Sequence, residues 1–339
     1  MRIAVVWDWP IENYQAMTWR DGLAKAIQIL RTRHQVSVFA CGTRSELPHP
    51  YFPIYVRETG SELKEAVKAF IPDVILHWAD TTRPNAAPLW ELGRPQALCF
   101  AGGEPFGETY GYFDHIFVES QSYLDRFKER GVSVSTAFGT NEEIFKPNTG
   151  QKKHFDVCNF STFAGWKRHE LLIQSTLAID PSLRMVCAGF QYQTHERECW
   201  EYPMKSGALV LPHLPAEVVS SLMDASKVCV LTSMASGGSQ RTALEAMAKN
   251  IPLVVCDDSD KLVEYVREGG GFIADHNNPM DIHAKIVEAM NVKNWDTRSY
   301  IDSKWTAEHY ANSLEAGLYD ILQRKYSVVE GKEARPSKG

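Results

Sequence analysis

The sequence predicts an α/β protein made of two Rossmann-like halves, each a parallel sheet covered by helices. Three observations predict it. Short apolar runs rich in β-branched residues alternate with helix-length amphipathic stretches along the whole 339-residue chain. The apolar runs do not alternate with polar residues, as expected of strands covered on both faces. The pattern breaks at the polar stretch KPNTGQKKH (146–154) and then starts again, which marks two units and a linker. The length agrees, because domains run to about 100 to 200 residues.

The first half opens with a strand, RIAVVW (2–7), a helix, TWRDGLAKAIQILRTRH (18–34), and a second strand, QVSVFACG (35–42). Further strands are predicted at DVILHWA (73–79), PQALCFAGG (95–103), HIFVES (115–120) and VSTAFG (134–139). Pro147, Asn148 and Gly150 supply linker chemistry, so the boundary is expected at 148–153. Strands of the second half are FDVCNFS (155–161), LRMVCAGF (183–190), ALVLPHL (208–214), KVCVLTS (227–233), PLVVCD (252–257) and GGFIAD (270–275). The expected domains are 1–150 and 151–302, with a terminal helix over 303–325, where WTAEHYANSLEAGLYDILQ has helical spacing, and a polar, mobile tail over 326–339. Two such halves are expected to face a central cleft between the carboxyl ends of their strands, where open α/β sheets bind ligands.

Composition narrows the function. With 44% hydrophobic and 23% charged residues the chain is ordinary globular protein. The net charge of −6 argues against a general nucleic-acid or anionic-membrane binder, which needs a basic excess. The seven cysteines are scattered without a CxxC pair, and five lie in apolar runs, which suits buried thiols better than disulfides or zinc. No apolar run approaches the roughly 18 residues of a membrane span and no secretory signal opens the chain, so a cytoplasmic location is expected. GxGxxG, zinc spacing and a nucleophile elbow are all missing from the sequence.

Three segments carry a resemblance. The stretch 113–147, FDHIFVESQSYLDRFKERGVSVSTAFGTNEEIFKP, has a strand, a serine, a helix, a strand and then Gly139, Phe145 and Pro147 at spaced positions, with Asn141 where an Asp is usual. FAGWKRHELLIQS (163–175) places Lys167 where a helix opens, and SGGSQRTALEAMAKNIPLVVCD (236–257) carries LEAMA and a turn into an apolar strand. These segments resemble GT-B fold glycosyltransferases, most closely the retaining family 4 group, and SKWTAEHYANSLEAGLYDIL (303–322) is similar to their terminal helix that crosses back to the first domain. The resemblance implies transfer of a sugar from a nucleoside diphosphate sugar, with retention, and no separate cofactor. Glu245 matches the second of two glutamates spaced eight apart in the family signature, but Gly237 stands at the position of the first. Thr162 stands where many members carry a phosphate-binding arginine, so Arg241 or Arg168 is left to compensate.

Breaking the bond to a diphosphate builds negative charge on the leaving group, and fixed donors aimed at it lower the barrier most. Gly237 and Gly238 allow close backbone approach, and the helix start that follows presents unpaired N–H groups to an anion. Gly237, Gly238, Ser239, Gln240, Arg241, Thr242 and His213 form the expected donor-binding set. Lys167 is the expected diphosphate cation and Glu245 the expected acceptor for the ribose hydroxyls. On the other side Asp8, at the end of the first strand, is the candidate to bind or deprotonate the acceptor; His77 and Glu104 are weaker candidates, since strand-end groups commonly satisfy loop N–H groups. The Asp-x-Asp of DDSD (257–260) is read as a cap for the next helix, not a metal site. The acceptor is open among a glycan, a lipid, a protein and a modified nucleobase. The alternative is a catalytically silent GT-B protein that binds a nucleotide sugar or serves as a complex subunit, and phosphorolysis or epimerisation is a third reading.

Overall fold

The computed structural model describes residues 1–7, 21–41, 46–47, 49–79, 87–100, 108–191, 197–234 and 241–333. The chain divides into two compact units, the first formed by Met1–Gln15, Leu23–Phe138 and Glu308–Gly339, the second by Ala16–Gly22 and Gly139–Ala307.

The first unit holds β1 (Arg2–Trp7), β2 (Gln35–Cys41), β3 (Glu46–Leu47), β4 (Ile54–Arg57), β5 (Val74–Ala79), β6 (Gln96–Phe100), β7 (His115–Val118) and β8 (Val134–Thr136). Their order in the sheet is β3-β4-β2-β1-β5-β6-β7-β8, and only β3 runs antiparallel to its neighbour. The central strand β1 shows why its sequence is apolar from Ile3 onward. Ile3, Val5 and Trp7 join a core with Leu23, Ile27 and Leu30 of the helix Gly22–Arg33 and with Leu314 and Leu318 of the helix Ala307–Glu333. Ala4 and Val6 point the other way, to Leu63 and Val67 of the helix Gly60–Phe70. That last helix starts in a capping box between Thr59 and Glu62. The terminal helix lies close on the sheet at Gly317, where a β-carbon would come 2.4 Å from the Phe117 ring.

The second unit holds β9 (Phe155–Phe160), β10 (Met185–Ala188), β11 (Leu209–Leu211), β12 (Ser226–Leu231), β13 (Leu253–Cys256) and β14 (Phe272–Ala274). The order is β11-β10-β9-β12-β13-β14, and every pairing is parallel. Val157, Cys187, Val230 and Val254 of four strands meet Leu172, Ile282 and Ile286 from the helices His169–Gln174 and Pro279–Asn291.

Three sequence expectations change. The strands β3 and β4 and the helix Gly60–Phe70 are additional elements; β3 and β4 are short and at the sheet edge, where periodicity has little length in which to show. The terminal helix begins at Ala307, after a separate helix Arg298–Lys304, and continues to Glu333, well into the stretch read as a polar tail. The second unit takes in Ala16–Gly22, expected in the first, and the chain from Gly139, ahead of the expected linker at 148–153. The reason is local: Thr140 N–H donates to Trp305 O (2.8 Å), Phe145 is buried, and Lys249 Nζ donates to Lys146 O (2.8 Å) while pairing with Asp224. No helix among the described residues is long and apolar enough to cross a membrane.

Candidate functional site

The candidate site in the second unit is built where β9 and β12 end. Beyond β9 the chain passes Ser161 and Thr162 and enters a 3-10 turn, Gly165–Lys167. Gly189, just past β10, permits this crowding: a β-carbon there would lie 2.0 Å from Ser161 O. The turn is closed by Lys167 N–H to Ala164 O (2.9 Å), and Thr232 Oγ1, just past β12, donates to Lys167 O (2.9 Å). Lys167 is held by its backbone from both strands and is 7% exposed.

Arg168 follows in the left-handed region (φ 50°), an unfavourable conformation for a side chain of this size. Its own contacts hold it there. Its Nη1 and Nη2 fork onto the two Asp258 carboxylate oxygens (2.8 and 2.7 Å), Nε donates to Thr232 O (2.5 Å) and Nη2 to Ser233 O (3.2 Å). Arg168 is thus held in a structural fork. The run DDSD leads into the next helix at its cap residue Ser259, which makes no side-chain hydrogen bond, while Asp257 accepts from His276. Asp257 and Asp275, both exposed, and the half-buried His276 form a group with metal-ligand spacing, apart from the Asp258 and Asp260 pair of the Asp-x-Asp pattern.

The helix Arg241–Ala248 supplies the remaining groups. Ala243, Leu244, Ala246, Met247 and Ala248 are buried, so LEAMA is core packing apart from its glutamate. Arg241, Thr242 and Glu245 fall on the opposite face by their three- and four-residue spacing. Thr242 Oγ1 donates to Phe160 O (2.5 Å), which ties the helix start to the end of β9. Arg241 Nη1 donates to Asp21 Oδ2 at 2.6 Å. Glu245 keeps slight solvent contact, and burial pushes its carboxyl up to about 7, against the pull of Arg241 and with a further push from Asp21. His213, beyond β11 and with its ring 6.2 Å from that of Phe190, is lowered to about 4 by burial and then by the Arg241 charge. His169 is lowered to about 3 by burial and then by the Lys167 charge. Both imidazoles are neutral at physiological pH.

Lys167, Arg241, Thr242, Glu245 and His213 therefore all lie in the second unit, around the ends of β9, β11 and β12. His77 does not serve a strand-end site: it is fully buried within β5, with Nε2 2.8 Å from Gln96 Oε1. Asp8, Glu104, Gly237, Gly238, Ser239 and Gln240 lie outside the described residues. Asp21 is the residue that sequence reading missed. It was read inside a helix over 18–34, whereas the described helix starts at Gly22; the Asp-Gly pair was the available signal.

Residues 140–304 match the family model described as Glycosyl transferases group 1. Similar solved structures include a sucrose-phosphate synthase from Thermosynechococcus elongatus, at 14% identity and a TM-score of 0.67, with 98% of this chain and 99% of that one covered. A glycosyltransferase from Rickettsia africae matches at 12% identity and 0.66, with 99% of each chain covered. Anabaena Alr3699/HepE, solved in complex with UDP and glucose, matches at 16% and 0.64, with 98% and 100% covered. Among curated proteins none matches in sequence. The chain has the GT-B fold of these solved structures, and its residues 140–304 match the family model of glycosyl transferases group 1.

Proposed function

We propose that the protein transfers a sugar from a nucleoside diphosphate sugar to a hydroxyl acceptor, with retention of configuration. The observation that carries this reading is that two elements meet the strand ends of the second unit: the turn after β9 that holds Lys167, and the helix carrying Arg241 and Glu245, which Thr242 ties to the end of β9. Lys167 meets charge that grows on the leaving diphosphate, and Arg241 takes the part of the arginine that Thr162 replaces. Glu245 accepts from the ribose hydroxyls. Asp8 remains the proposed acceptor-side group, and the glycine-rich stretch 237–240 the proposed phosphate cradle. The complex of HepE with UDP and glucose supports a nucleotide-sugar donor. All seven cysteines are free and five are buried, which supports residence in the reducing cytoplasm.

Release of nucleoside diphosphate from UDP-, GDP- and ADP-sugars, with and without candidate acceptors, tests the proposal. Acceptor-dependent release from one donor is the expected result. Donor binding without any release would favour the silent alternative, to which Gly237 and Thr162 point. Transfer is further expected to survive chelation, because the diphosphate is met by Lys167, Arg241 and backbone N–H groups. Activity lost to EDTA and restored by manganese would transfer that role to a metal.

A further inference from the structure

We infer that Asp21 is a positioning residue whose carboxylate aims the Arg241 guanidinium at the diphosphate of the donor. This rests on the nucleotide-sugar reading above. Asp21 is 7% exposed, and its Oδ2 accepts from Arg241 Nη1 at 2.6 Å. The Arg241 side chain remains one-third exposed (33%). A guanidinium is a rigid, planar fork, so a carboxylate that holds one of its nitrogens sets the direction of the whole group.

The carboxylate itself is held firmly. Gly22, the next residue, touches the backbone of Gly139 so closely that a β-carbon would lie 1.9 Å from Gly139 O, and Gly139 in turn leaves only 2.6 Å between such a carbon and Thr306 O. Thr140 and Thr306 pair as an isolated parallel bridge beside this contact. Three chain segments far apart in sequence are thereby locked backbone to backbone in the second unit, and Asp21 projects from that lock to the first residue of the helix Arg241–Ala248. A cation at a helix N-terminus is disfavoured by the helix dipole. Asp21 offsets that effect and restricts the rotamers of Arg241, so that less freedom is lost when an anion binds.

The test compares binding of a nucleoside diphosphate with binding of the corresponding nucleoside, by calorimetry, using the nucleotide of the preferred donor. Asp21→Ala is expected to weaken diphosphate binding about tenfold, the scale of one charged hydrogen bond, with nucleoside binding unchanged. Asp21→Asn keeps an oxygen acceptor for Nη1 and is expected to recover most of the loss; Asp21→Ser replaces the alanine variant if circular dichroism shows that one unfolded. Equal weakening for both ligands would reduce Asp21 to a fold anchor and overturn the inference. Unchanged or tighter diphosphate binding would overturn it also, by showing that Asp21 masks Arg241 or does nothing to it. Wild-type protein that binds no nucleoside diphosphate would instead defeat the donor reading itself, before any variant is made.

Discussion

Lys167→Ala is expected to lower turnover about a hundredfold, the effect of removing one donor worth about 3 kcal/mol to a developing oxyanion. Binding of the free nucleoside should be nearly unchanged, since the ammonium addresses the phosphates. The size of the effect follows from how Lys167 is held. Its backbone is fixed by Ala164 on one side and by the Thr232 hydroxyl on the other, so the point from which the side chain leaves the turn is set before the reaction. Its burial places it in a weakly screened environment, where a charge acts more strongly than at the surface. The neighbouring His169, kept neutral, adds no competing charge. Steady-state kinetics with the preferred donor checks this. A variant with wild-type turnover would remove Lys167 from the site.

Glu245→Gln is expected to weaken nucleotide binding and stabilise the empty protein. An ionised carboxylate accepts from both ribose hydroxyls, while an amide offers one oxygen, so a loss of about 1.5 to 3 kcal/mol in affinity follows. Stability moves the other way. The folded carboxyl titrates near 7 against an ordinary 4.5, so the folded state holds the proton more tightly than the unfolded chain. Stability from this group is complete below pH 4.5, falls as pH rises through the interval to 7, and is fully lost above it. At about 1.4 kcal/mol per pH unit the loss is roughly 3 to 4 kcal/mol, and the glutamine variant escapes it. Denaturant melts at pH 4 and pH 8.5 should show little difference at the first and a clear gain for the variant at the second. Nucleotide affinity of the wild type should also rise with pH through 7. A variant no more stable at pH 8.5, or one that binds nucleotide as tightly as wild type, would contradict the assignment.

What the sequence alone determined was whatever depends on neighbours along the chain. The apolar, non-alternating runs at 2–7 and 155–160 announced strands covered on both faces, and two cycles of them announced two units. LEAMA with Glu245, and Lys167 at a turn, were visible because helix face and turn chemistry are set within a few residues. The tertiary structure decided which charges meet. Arg168 and Arg241 are equivalent candidates in the sequence, yet the first is held by Asp258 and the second by Asp21, a residue 220 positions away. His77 looks like a strand-end group until Gln96 from the adjacent strand is found against it. Even the pKa of Glu245 depends on burial by the folded chain and on Arg241 and Asp21 together. Ion pairs and desolvation act through space at a few ångströms, and only the assembled sheet and helices bring residues so distant in sequence within that range.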